Sequence, residues 1–133
     1  MIRTVHFLEL DNWDDYMVSF WLDETGAQRV TVQRLNEFSP ELPEEYRPTP
    51  ELFTHEEAQP PIDRLVAAEW NHERVHLKSE HREFTLDVSR IVAPDVELAR
   101  LILRRMNYDD SFDLMLRRGP KKSKPGGKAK KSR

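Results

Sequence analysis

From Val75 to Val88 the chain places apolar side chains at alternate positions on either side of a polar break. Val75 and Leu77 alternate with His76 and Lys78, and Phe84, Leu86 and Val88 alternate with Glu83, Thr85 and Asp87. A period of two sends one row of side chains into a core and the other into water, so the stretch predicts a β hairpin. The same segment carries a rival pattern. His72-Glu73-Arg74-Val75-His76 matches H-E-x-x-H, which on a helix sets two imidazoles one turn apart on a zinc ion, with the glutamate as general base. The two readings exclude each other, because only a helix brings those histidines together. On a strand His72 and His76 lie about 13 Å apart at about 3.3 Å per residue, too far to share an ion whose bonds to nitrogen are about 2 Å. Asn71 and Val75 are also poor helix formers, and Arg74 adds a charge to the middle of the motif. The hairpin is the expectation. A zinc-dependent hydrolase using Glu73 as base and His72 and His76 as ligands is the alternative, and without it the chain offers no catalytic residue, metal site or cofactor.

A length of 133 residues suits one domain with a core large enough to stand without staples. Charged residues make up 34% of the chain against 38% hydrophobic, the balance of a soluble protein with a very polar surface. The sequence holds no cysteine, which removes disulfides, thiolate metal sites and thiol nucleophiles. No apolar run approaches the roughly 20 residues that span a bilayer, and Met1 to Leu10 lacks the profile of a signal peptide. The expectation is a cytoplasmic protein with no membrane contact.

The net charge of −3 conceals an asymmetry. Residues 117–133 carry nine Lys and Arg and no acid, so the remaining 116 residues hold 12 basic against 24 acidic side chains, a net −12. Most of the folded surface repels polyanions and only the tail attracts them.

In chain order, Arg3 to Leu10 reads as a strand and Asp11 to Asp15 as a turn. Tyr16 to Leu22, apolar on both faces, reads as a central strand; Asp23 to Gly26 turns the chain, and Gln28 to Leu35 forms a third strand whose Arg29, Thr31 and Gln33 predict a wet face. These three make an antiparallel meander. Residues 36–61 then form a connector with six prolines and seven glutamates against one arginine. Within it Ser39-Pro40-Glu41-Leu42 and Thr49-Pro50-Glu51-Leu52 each set a capping hydroxyl before a proline and a first-turn glutamate, predicting two short helical turns, the second running toward Ala58. Leu42, Tyr46, Leu52 and Phe53 could pin this connector to the sheet.

Ile62 to Trp70 fits a strand that would join the hairpin in a second meander. Ala93-Pro94-Asp95 opens a helix that continues through Leu98, Leu101, Ile102, Arg105 and Met106 to a cap at Asn107. A second short helix is expected from Asp110 through Met115, closing at Gly119. The fold expected is therefore α+β: an antiparallel sheet built from two three-stranded meanders, packed by the helix, in one domain over residues 1–118. Residues 119–133 form a Lys-rich tail that cannot fold on its own.

Five histidines, His6, His55, His72, His76 and His81, read as polar members of strand faces and turns. Two acidic clusters, Asp11/Asp14/Asp15 and Asp109/Asp110/Asp113, have the residue types of a magnesium or calcium site, but they lack the glycine-punctuated spacing of a calcium loop, and turns and caps account for them. Phe7, Trp13, Tyr16, Phe20, Trp21 and Trp70 would need a basic groove to stack single-stranded nucleic acid; they lie instead among Glu9, Asp11, Asp14, Asp15 and Asp23, which points to core packing. The tail supplies the strongest argument for a partner. Lys121, Lys122, Lys124, Lys128, Lys130, Lys131 and Arg133 form a flexible polycation that binds polyphosphates without sequence preference, or folds back on the acidic body. The functional expectation is a small non-enzymatic binding or adaptor protein, its acidic body meeting a protein partner and its tail meeting nucleic acid or another polyanion. A structural subunit of a larger assembly is a further alternative.

Overall fold

The computed structural model describes residues 2–13, 15–25, 28–35, 49–54 and 62–117. The helical turn expected at Ser39, most of the Pro- and Glu-rich connector, Asp14, Gly26, His55 and the whole basic tail lie outside these residues. Among them the chain forms nine strands and one helix in the order β1 (Ile2–Thr4), β2 (Phe7–Asn12), β3 (Asp15–Trp21), β4 (Arg29–Leu35), β5 (Glu51–Thr54), β6 (Leu65–Asn71), β7 (Arg74–Ser79), β8 (Glu83–Asp87), α1 (Ala93–Met106) and β9 (Asp113–Arg117). The fold is α+β, as the alternating and helical periods predict.

Both expected meanders are present, and each is extended. In the first sheet β2, β3, β4 and β5 follow one another antiparallel. In the second the order is β1-β8-β7-β6-β9: the antiparallel meander of β6, β7 and β8 gains a parallel strand at either edge, β1 beside β8 and β9 beside β6. The sheets join at both sides. Val5 donates its backbone N–H to Asp87 and His6, the next residue, donates to Trp21 across the other sheet, both at 2.8 Å. On the far side Leu52 donates to the Asp63 carbonyl at 2.8 Å, Leu65 donates to that of Pro50 at 2.9 Å, and Glu51 bridges Arg64. The strands thus run as a ring around one core.

Four sequence expectations change here. The strand expected over Arg3–Leu10 divides at Val5 and His6, where the chain passes from one sheet to the other. The helical start at Thr49-Pro50-Glu51-Leu52 is strand β5, paired with Val30 to Gln33. An isolated helical turn pays its nucleation cost for few hydrogen bonds, whereas β5 completes a ladder and buries Leu52. The short helix expected from Asp110 to Met115 is likewise strand β9, because β6 presents an edge that Asp113 to Arg117 can pair with in parallel. The face of β4 expected to be wet buries Thr31, whose hydroxyl shares a 2.7 Å hydrogen bond with buried Ser19 of β3.

The core takes Val18, Phe20, Val30, Val32 and Leu52 from one sheet and Ala68, Trp70, Val75, Leu77 and Leu86 from the other. Phe20 and Trp70 meet across it with ring centroids 6.1 Å apart and tilted by 49°. Burying one such side chain stabilises by about 1.5–3 kcal/mol. Helix α1 packs on β2, β3 and β9 through Ala99, Ile102, Leu103 and Met106, spaced i, i+3, i+4, i+7, so its apolar stripe lies beside Leu98, which stays exposed. Asp95 in its first turn and Arg104 and Arg105 in its last suit the helix dipole, and Asn107 forms the C-cap as expected.

Candidate functional site

The segment with two readings is a hairpin. β6 and β7 pair from Leu65↔Ser79 to Asn71↔Arg74, and His72 and Glu73 form the two-residue loop between them. His72 has φ = 59°, in the left-handed region. Its exposed imidazole reaches Glu73 at 3.7 Å, and His76 lies on β7 with its own partners. The one-turn spacing that H-E-x-x-H requires does not form, so His72, Glu73 and His76 do not converge on an ion.

His76 sits in a polar row across β7 and β8. Its Nδ1 is 3.0 Å from Thr85 Oγ1 and its Nε2 is 2.9 Å from Glu83 Oε2. Hydroxyl, imidazole and carboxylate in that order have the residue types of a nucleophile, base and orienting acid. The row lies on the outward face beside a shallow opening lined by Glu69, Asn71, Arg74 and His76. Both strands have neighbours on each side, which commits their backbone N–H groups to the ladders. The arrangement works as a cross-strand polar ladder linking β7 to β8.

A second polar cluster lies where β5, β6 and the β7–β8 turn meet. Asp63 is 2% exposed. Its Oδ2 accepts from Ser79 Oγ at 2.7 Å and from Arg82 Nε at 2.9 Å, and its Oδ1 accepts from the His81 backbone N–H at 3.2 Å. Burial alone would raise the carboxyl's pKa, but the hydrogen bonds from Ser79, Arg82 and His81 outweigh it and hold the value below the usual range. Glu80 and His81 could join Asp63 in a group of three metal-ligand types within 4.8 Å. The carboxylate already accepts three donors, which makes it a staple for the turn.

The acidic clusters turn to structural work in the same way. Asp11 accepts from the Trp13 backbone N–H at 2.9 Å and Asp15 accepts from Gln33 at 2.6 Å. Asp109 takes two hydrogen bonds from Arg34, both at 2.8 Å, and a third from the Ser111 hydroxyl. The guanidinium of Arg34 is the main reason the Asp109 carboxyl titrates far below its usual range. Arg34 is 2% exposed, donates also to the Met106 carbonyl at 2.8 Å, and stacks 4.0 Å from the Tyr108 ring, so it straps β4 to the end of α1. Asp110, with φ = 56°, and Asp113 do not join it.

The aromatics divide between core and surface. Phe20 and Trp70 are buried as expected. Phe7 stacks on Trp21 at 5.0 Å with the Arg29 guanidinium 5.1 Å from the same ring, on the outer face of the first sheet. Trp13, at the tip of the β2–β3 hairpin, is 84% exposed. Its indole was expected in the core; the turn closed by Asp11 carries it outward instead. Sequence reasoning also missed a meeting of Arg3, Arg29 and Arg82 around a cleft at the rim of the ring. Three residues so far apart in the chain leave no local signal. The candidate tail residues Lys121 to Arg133 lie beyond the described residues.

Among the described residues no helix is long and apolar enough to cross a membrane. The chain matches no family model, no curated protein and no solved structure at a significant level.

Proposed function

We propose that the protein is a non-enzymatic cytoplasmic adaptor whose acidic body holds a protein partner while its Lys-rich tail contacts nucleic acid or another polyanion. The observation that carries this reading is Trp13. A large apolar ring 84% exposed at a hairpin tip, held by the Asp11 turn and flanked by Asp15, has the form of an interface anchor in an acidic surround. Tryptophan supplies much contact area at little entropic cost, and the acids beside it favour a partner with a basic rim. The commitment of Asp63, His76 and Asp109 to structural hydrogen bonds fits a binding role better than a catalytic one. The tail's seven positive charges after Gly119 add a salt-sensitive contact independent of the body, and a chain without cysteine suits a reducing compartment.

Affinity capture from matched extracts tests both parts. A discrete set of proteins is expected on the wild type and lost with Trp13→Ala. Captured nucleic acid is expected to fall away when residues 119–133 are deleted or when salt is raised. Identical capture by all three chains, each with an unchanged circular dichroism spectrum, would overturn the proposal.

A further inference from the structure

We infer that the outer edge of β9 is a self-association site, at which two copies of the chain pair β9 with β9 antiparallel about a two-fold axis at Met115. β9 stands outside the ring of strands. β1 continues through Val5 and His6 into β2, and β5 is joined to Asp63 and Leu65, whereas β9 ends its sheet with β6 as its one partner strand among the described residues. The bond of 3.2 Å from the His72 backbone N–H to the Arg117 carbonyl shows which of its backbone groups β6 uses. Successive residues of a strand turn their N–H and C=O to opposite sides, so Asp113, Met115 and Arg117 bond toward β6 while Leu114 and Leu116 present theirs outward. Among the described residues nothing bonds to those outward groups, and an edge of this kind is a template for a further strand.

The strand that fits best is another β9, because Asp113-Leu114-Met115-Leu116-Arg117 is complementary to itself. Read antiparallel about Met115, it sets Leu114 opposite the second copy's Leu116 and Asp113 opposite its Arg117. The leucines carry the outward backbone groups, so each Leu114–Leu116 pair exchanges both N–H···O bonds, and the Asp113–Arg117 pairs fall at the more closely spaced positions between, where opposite charges attract across strands. Both charges are available. Asp113 and Arg117 are exposed, neither forms an ion pair among the described residues, and the Arg117 Nε rests on Met115 Sδ at 3.0 Å. A parallel pairing would set like charges together, and slipping the antiparallel register by two residues would set a charge against Met115.

Met115, 44% exposed in the single chain, meets its own copy on the axis, where a flexible thioether adapts to its neighbour. The pairing joins two five-stranded sheets into one and uses the β9 edge of both copies, so the assembly closes as a dimer and does not grow into a fibre. The two Arg117 residues, from which the basic tails continue, stand at opposite ends of the new ribbon, which keeps like charges apart. The contact is short and belongs with the weak, reversible interfaces, with a dissociation constant of roughly 1 μM to 1 mM.

The test is sedimentation equilibrium of the full chain over concentrations up to about 1 mM, with amide hydrogen exchange followed by NMR over the same range. The expected result is a mass that rises from 15.8 kDa toward twice that value, with exchange slowing at Leu114 and Leu116 and unchanged at Met115, whose amide β6 already holds. Asp113→Arg and Arg117→Asp each turn both cross-strand pairs into like-charge contacts, and each should weaken self-association about tenfold or more. Mixed in equal amounts, the two variants restore opposite charges in every pair, so the mixture should associate about as tightly as the wild type. A mass of 15.8 kDa at every concentration, single variants that associate like the wild type, or a mixture that associates no better than its components would overturn the proposal. The site shares no residue with Trp13 or residues 119–133, so its failure and that of the adaptor reading are separately visible.

Discussion

Asp63 is the residue on which the junction between the two sheets depends most. Its carboxylate accepts the Ser79 hydroxyl, the Arg82 guanidinium and the His81 backbone N–H at a position 2% exposed, while its own carbonyl accepts Leu52. Asp63→Asn keeps the volume but removes the charge and replaces one acceptor oxygen with a donor that faces other donors. The expected loss is about 1–3 kcal/mol, read as a lower urea midpoint with an unchanged slope. An unchanged midpoint would show that the network contributes nothing net. This role was not legible in the sequence, where Asp63 is one acid between Ile62 and Arg64. Arg34 was hidden for the same reason. Its partners, Met106 and Asp109, lie more than 70 residues away, and the alternation of β4 marks its face as inward without naming the charge that meets it. Trp13 was misassigned because composition predicts that large rings are buried, while the turn that exposes this one depends on Asp11.

Whole elements were legible where a single period decided them. The alternations in β3, β4, β7 and β8, and the helical repeat of α1, each satisfy local propensity and tertiary packing at once. The errors fell on β5 and β9, short segments whose own signals, Ser/Thr-Pro-Glu and an aspartate cap, point to helix. There the free edge of a neighbouring strand decided the outcome, and nothing within five residues announces it. The β6–β7 loop shows a milder conflict. His72 takes φ = 59° with a Cβ that resists it, a strain of roughly 1–2 kcal/mol. His72→Gly removes that strain at some cost in unfolded-state entropy, so a net stabilisation of up to about 1 kcal/mol is expected in urea denaturation. Destabilisation would mean that the imidazole makes a contribution larger than the strain.

For the molecule as a whole, acid is the expected weakness. Asp63 and Asp109 both titrate below the ordinary carboxylate range when folded. A lowered folded value gives stability that is complete above the unfolded value, about 3.9 for aspartate, and is lost as pH falls through the folded one. Urea midpoints measured from pH 7 downward should hold until about pH 5 and then drop, steeply below about pH 4. Asp109→Asn should start lower at pH 7 and lose less on acidification, since it has already given up the Arg34 strap. Parallel curves for variant and wild type would show that the strap is not what acid breaks.

Strand β1 pairs in parallel with β8, 83 positions further along the chain, Ile2 with Thr85 and Thr4 with Asp87. During synthesis at about 5–20 residues per second, β1 emerges on the order of ten seconds before β8 exists to receive it. Until then β1 has no partner strand and the second sheet lacks β8, so the wall opposite Val18, Phe20, Val30 and Val32 stays incomplete. A nascent chain stalled before β8 should therefore be sensitive to proteases and prone to chaperone capture along its whole length, and both properties should vanish together once the C-terminal third is released.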